Sequence, residues 1–293
     1  MRRVGRALGM VAYYVGWRHR RLVMDNLTQA FGKVFSLAEL HRLARRVYGN
    51  MGITLMEFLR LPGWSSERIN QIVSIDGEEH LREALRQGRG AILLTAHYGN
   101  WELIGAKLVA SGYPLHVIVR DQADDAITDL LTRIRAGKGM RLIRREQAPR
   151  GVLRALRRNE PVAILADQNG GPQGQFVEFF GKLASTPAGP AAFALQTGAP
   201  VIPGFGIRHD DGTHTVRFYP PIPLVRTGDR HHDLHENTQN YTREIEARIR
   251  ERPDHWHWMN KRWRTYPSPP ARPRDTAPAA SLCSNPPASS SSN

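Results

Sequence analysis

Cysteine is almost absent from this chain of 293 residues: Cys283 stands alone, so no disulfide framework and no cysteine metal site is available, and a reducing compartment is the natural expectation. Lysine is nearly as scarce. Only Lys33, Lys107, Lys138, Lys182 and Lys261 occur among 41 basic residues, so arginine carries the formal charge of +14. Such a charge suits acidic partners, namely anionic lipid, an acidic carrier protein, a phosphorylated glycolipid or nucleic acid; an arginine-biased genome accounts for it equally. No nucleic-acid recognition module, basic zipper or paired metal-finger spacing is present, so nucleic acid is the poorest explanation. A long apolar run is also missing. The N-terminal one, residues 7–17, has eleven residues against the roughly 20 that span a bilayer. Flanking arginines with Tyr13, Tyr14 and Trp17 suit a helix lying in the headgroup region, and an amphipathic helix packed on the domain fits as well.

What is present is a rhythm. Ser36 reads as the N-cap of a helix that runs to about Leu61 and stops at Pro62-Gly63. From Val73 onward, short apolar runs at 73–75, 91–96, 115–120, 140–144 and 162–167 alternate with helical patterns at 78–87, 100–111, 125–136 and 149–158. Strands separated by helices of about ten residues imply crossover connections. The expected fold is therefore α/β, with a mainly parallel central sheet flanked by helices on both faces and an N-terminal helical segment. Further strands are expected at 201–207 and 213–219. Thr186 with Pro187 after it reads as a helix start, and His231, His232 and His235 as the polar beginning of a helix that Pro253 ends. The expected organisation is a helical, membrane-associating segment over 1–66, an α/β domain over 67–266, and a disordered Pro, Ser and Ala-rich tail over 267–293.

The chain is organised around Ala91-Ile-Leu-Leu-Thr-Ala-His97-Tyr-Gly-Asn-Trp-Glu102, where an apolar strand delivers a histidine and then a carboxylate. Asn100 is the expected N-cap of the following helix, which puts His97 at the strand's C-terminal end, where open α/β sheets bind ligands. Five residues on a regular helix turn through about 500°, leaving two side chains roughly 140° apart. His97 meets Glu102 only by folding back from the turn. A histidine so held is a general base, its other ring nitrogen taking a proton from a hydroxyl. Taken alone, His-x4-Glu is weak, and a surface turn with a capping Asn explains it equally. Asp167-Gln168, Arg120 and Arg144 end other strands on the same side, and guanidinium forks match phosphate or carbonyl oxygens. The glycine-rich run 169–174 is neither a P-loop nor a dinucleotide fingerprint.

Five blocks in order, His97-Tyr-Gly-Asn-Trp-Glu102, Asp167-Gln168, Phe179-Phe180-Gly181, Ser185-Thr186-Pro187 and Pro253 to Trp263, resemble the lipid A late (lauroyl or myristoyl) acyltransferases of the lysophospholipid acyltransferase superfamily. The resemblance runs from about Val4 to Tyr266. It implies a glycerolipid acyltransferase-like fold and an O-acyltransferase whose base is a His97–Glu102 dyad, with Arg120, Arg144, Asp167 and Gln168 toward substrate. It further implies an acyl-carrier-protein thioester (or acyl-CoA) as donor, a phosphorylated lipid A precursor as acceptor, no metal or nucleotide cofactor, and peripheral or monotopic residence on the cytoplasmic face of a bacterial inner membrane. Another acceptor, such as a lysophospholipid, an ornithine lipid or a glycosylated phosphoinositide, and a catalytically inactive membrane-binding relative are the alternatives. Relatives often carry His where Asn260 stands here, so no role passes to that position. Trp256, Trp258 and Trp263, set among cations, suit a lipid interface or the edge of the substrate cleft.

Overall fold

The computed structural model describes residues 1–121 and 124–266; the expected disordered tail lies outside the described residues. Three helices open the chain: α1 (Arg2–Val15), α2 (Trp17–Phe31) and α3 (Leu37–Arg60). The N-terminal apolar run, residues 7–17, is thus split by Gly16. Ser36 caps α3 as expected, and Glu39 returns the hydrogen bond to its backbone in a full capping box. Glycines set the packing of α1 on α3, because a Cβ at Gly9 would stand 2.1 Å from Tyr48 O and one at Gly52 2.0 Å from Gly5 O. Only hydrogen fits there.

The α/β part follows as α4 (Ser66–Ile72), β1 (Val73–Asp76), α5 (Glu78–Arg86), β2 (Ala91–Thr95), α6 (Trp101–Ala110), β3 (His116–Val119), α7 (Asp125–Gly137), β4 (Arg141–Arg144), α8 (Ala148–Arg157) and β5 (Pro161–Leu165). It ends with β6 (Gln175–Phe179), β7 (Lys182–Thr186), α9 (Gly189–Thr197), β8 (Val201–Arg208), β9 (His214–Phe218) and α10 (Arg230–Glu251). Seven strands make one sheet in the order β1-β9-β8-β2-β5-β3-β4. Its neighbours run parallel except β8 and β9, so β9 and β1 point against the other five. The mainly parallel α/β architecture expected of the sequence is the one present. Strand residues alternate between faces: Ile92 and Leu94 pack with α8, α9, α10 and the N-terminal helices, while Leu93 packs with α4 to α7.

Two local readings differ. The helix expected from Thr186 begins instead at Gly189, because Thr186 ends β7 and its hydroxyl accepts from the buried Arg262 guanidinium. The tryptophans of the C-terminal block, which suited a lipid interface or the edge of a cleft, are interior: Trp256 and Trp258 are fully buried against Phe179, Phe180 and Phe31. The hairpin of β6 and β7 supplies that cover, and Asn26 of α2 donates to the carbonyls of Trp258 and Asn260, both at 2.8 Å.

Candidate active site

The sheet itself assembles the site. β2 and β5 are neighbours in a register that pairs Ala91 with Pro161 and Thr95 with Leu165, an offset of 70 residues. Two residues beyond that last pair lie His97 and Asp167. The chain leaves β2 toward β3 on one side and β5 toward β8 on the other, so the crevice at their C-termini is a topological switch point. There the Asp167 carboxylate accepts from the His97 backbone N–H through Oδ2 (2.9 Å), and its Oδ1 lies 2.9 Å from His97 Nδ1. Trp256 Nε1 donates to Oδ2 at 2.7 Å. Burial alone would push the Asp167 carboxyl up; the charge and hydrogen bonds of His97, with the indole N–H of Trp256, hold it instead at about 2. Asp167 is thus a carboxylate, wholly covered, while 22 % of the His97 side chain stays exposed.

Glu102 does not occupy that place. It sits in the first turn of α6, where it accepts from Arg135 of α7 in bidentate fashion, Nε to Oε2 at 3.0 Å and an Nη to Oε1 at 2.6 Å. Trp101 Nε1 donates to Oε1 at 3.0 Å. The expected contact between His97 and Glu102 is therefore replaced by two pairs, His97 with Asp167 and Glu102 with Arg135. The reason is the register, which puts a carboxylate beside His97 Nδ1 before the helix begins. Glu102 reaches His97 only through Trp101, whose ring packs edge-on to the imidazole at 5.0 Å. Burial weakens the Arg135 charge, and Glu102 more than restores it, leaving Arg135 above its ordinary value.

Gln168 joins the site, its amide nitrogen 3.5 and 3.4 Å from the two His97 ring nitrogens, a placement over the ring rather than a directed hydrogen bond. Arg120 follows β3 directly and Arg144 ends β4, two and three strands from β2, hence roughly 10 and 14 Å across the sheet at about 4.8 Å per strand. They share the His97 edge without lying beside it.

Beneath the turn lies a buried ionic cluster that sequence reasoning missed. Asn100 caps α6 through Oδ1 and donates to Glu57 Oε2 at 2.8 Å. Glu57 also accepts from Arg208 (2.7 and 3.3 Å) and faces His214 Nε2 at 3.3 Å, while Thr54 donates to Gly99 O. Burial opposes its charge, but His214 and Arg208 hold the Glu57 carboxyl at about 2. Glu57 sits on a helix face that reads as core, and only its interruption of the apolar pattern marks it. Two cavities, one of about 90 Å³ walled in part by Tyr98, Arg217 and Arg252 and one of about 440 Å³ walled in part by Glu178 and Arg243, do not include His97.

A buried carboxylate fixing one imidazole nitrogen, while the other meets the long contact of the Gln168 amide, is the arrangement of a general base. Relatives are consistent with that chemistry. The chain is 29% identical over 211 residues, 71% of its length and 67% of the relative's, to a phosphatidylinositol mannoside acyltransferase of Mycolicibacterium smegmatis. It is 28% identical over 270 residues, 90% of its length and 85% of the relative's, to the lipid A biosynthesis lauroyltransferase of Escherichia coli. The lipid A biosynthesis palmitoleoyltransferase of the same organism is 23% identical over 267 residues, 90% of this chain and 85% of that one. Residues 1–265, which hold every element of the site, match the sequence model of one family, and the chain belongs to it: bacterial lipid A biosynthesis acyltransferase.

Proposed function

We propose that this enzyme moves a fatty acyl chain from an acyl-carrier-protein thioester to a hydroxyl of a phosphorylated lipid A precursor, with His97 as general base. The observation that carries the reading is the Asp167 carboxylate on His97 Nδ1, which leaves Nε2 to take the hydroxyl proton. Asp167 orients the ring and stabilises the imidazolium as the alkoxide attacks the thioester carbonyl; the proton then passes to the departing thiolate. Glu102 acts as a positioning residue, holding Trp101 against the imidazole and anchoring α6 to α7 through Arg135. Arg120 and Arg144, farther along the same sheet edge, are the groups we assign to acceptor phosphate. Thioester chemistry of this kind calls on no metal or nucleotide.

The acceptor is a lipid, so the protein must meet a membrane. No helix among the described residues is long and apolar enough to cross one. α1 instead turns Val4, Leu8, Val11 and Val15 outward, with the exposed Trp17 and Arg18 opening α2 beyond Gly16, and we assign this stripe to the cytoplasmic face of a bacterial inner membrane, bound peripherally. A second reading keeps the chemistry and changes the acceptor to a glycosylated phosphoinositide; the mycobacterial relative favours it.

Mass spectrometry of the lipid product decides between them. Purified protein is given acyl-carrier-protein and CoA thioesters with a lipid A precursor, a mannosylated phosphoinositide and a lysophospholipid in turn. Acylation of the lipid A precursor from the carrier-protein donor is expected. Acylation of the phosphoinositide alone supports the second reading, and vesicle binding without thioester consumption overturns both.

A further inference from the structure

A short antiparallel ladder ties the His97 turn to the segment after α10. Tyr98 bridges Trp256, Gly99 N–H donates to His255 O at 2.9 Å, and His257 N–H donates to His97 O at 2.9 Å. Residues directly opposed in such a ladder share a face, and successive ones alternate. Tyr98 and Trp256 turn into the core, so His97 and His257 emerge together on the other face, with ring centroids 6.1 Å apart. Trp101 completes the wall, lying nearly parallel to the His257 ring at 6.2 Å and 12°. Nothing in the acyl-transfer chemistry derived above uses this second imidazole.

Its two nitrogens are not equivalent. Among the described residues Nδ1 is buried with no hydrogen-bond partner, whereas Nε2 also has no partner there but stays accessible on the half-buried ring. A buried lone pair is cheaper to leave unpaired than a buried N–H, so the proton belongs on Nε2. The groups facing the ring are His97 and Asp167; burial first, then the His97 charge, pushes His257 down to about 4, with Asp167 pulling the other way. At neutral pH the ring is an uncharged donor that does not compete with His97 for a proton.

We propose that His257 is a second catalytic histidine, donating its Nε2–H to the thioester carbonyl oxygen as that oxygen becomes the oxyanion of the tetrahedral intermediate. This rests on the acyl-transfer reading. The acceptor hydroxyl oxygen bonds to the carbonyl carbon while His97 Nε2 takes its proton, and the carbonyl π pair moves onto oxygen, where the His257 N–H meets it. Collapse re-forms the carbonyl, breaks the C–S bond and returns the proton from His97 to the thiolate, giving ester and thiol. A preorganised neutral donor at the developing charge, in a half-buried wall, is worth about 10²- to 10³-fold in rate.

The test compares the full-length protein with His257→Phe, which keeps a ring against Trp101 but has no donor, and His257→Gln, which keeps an N–H. Acylation is measured with a carrier-protein or CoA thioester and the lipid acceptor that wild type turns over. His257→Phe should lower kcat about 10²- to 10³-fold with KM within a few-fold, and His257→Gln should recover most of it. Unchanged kcat in His257→Phe, equal loss in both variants, or a change confined to KM overturns the assignment while leaving acyl transfer standing. A wild type that transfers no acyl group removes the acyl-transfer reading instead. Nitrogen-15 NMR of the imidazoles, which needs no substrate, should show His257 as the neutral Nε2–H tautomer at pH 7, and an Nδ1–H or doubly protonated ring contradicts the proposal.

Discussion

Replacing Glu102 by Ala leaves the largely buried Arg135 without its counter-charge, a loss on the order of 3 kcal/mol for a pair this buried. Substituting both residues by Leu removes the unpaired charge, so a double-mutant cycle by thermal or urea unfolding should recover most of that stability. Asp167 and Glu57 make a different prediction, about pH. Each carboxyl sits at about 2 in the fold, against ordinary values of 3.8 and 4.5. Their contribution to stability is therefore fully present above about pH 4.5 and is lost as pH falls toward 2, on the order of 2 kcal/mol for Asp167 and about 3 kcal/mol for Glu57. His257, held at about 4 against 6.5, adds a loss of the same sign between pH 6.5 and 4. Circular dichroism against pH should show acid unfolding over these windows, shallower between pH 6.5 and 4 in His257→Phe and shallower below pH 4.5 in Glu57→Gln. At this scale the sequence was half readable. His97 stands out as the polar end of an apolar strand, and Asp167 does too. That they meet depends on β5 lying beside β2, a non-sequential order that no local spacing reveals; proximity along the chain made Glu102 look like the partner.

The turn between β2 and α6 is fixed by Gly99, whose φ is +60° and whose added Cβ would stand 1.8 Å from Gly206 O. Gly99→Ala should cost more than about 3 kcal/mol, since left-handed strain and a backbone clash act together, and a lowered unfolding midpoint with lost activity would show it. The α1 and α3 pair makes a similar claim through Gly9 and Gly52, and Gly52→Val should detach α1. Strands and helices from 73 to 167 were legible because apolar runs of three to six residues alternate with helical patterns. The hairpin of β6 and β7 and the start of α9 were not. Pro187 resembles a helix start, and what overrides it is the distant Arg262, which claims the Thr186 hydroxyl.

Across the whole molecule, the peripheral membrane binding we propose would draw on two features together, a charge of +14 and the outward apolar stripe of α1, both suited to an anionic bilayer. Leu8→Asp with Val11→Asp should weaken binding to anionic vesicles at least about tenfold, because each exposed aliphatic side chain contributes on the order of 1.5 kcal/mol when buried in lipid. Unfolding should be unaffected, and binding by wild type should fall with rising salt. The sheet order and the short ladder between Tyr98 and Trp256 are what turn these parts into an enzyme, since together they join β2, β5 and the segment after α10 at one crevice. The claim that Asp167, and not Glu102, orients His97 is tested most directly by the kcat of Asp167→Asn in acyl transfer, with folding checked by thermal unfolding. A folded variant whose kcat is lower by about 10²-fold or more is the predicted result, and a folded variant turning over at the wild-type rate would contradict it.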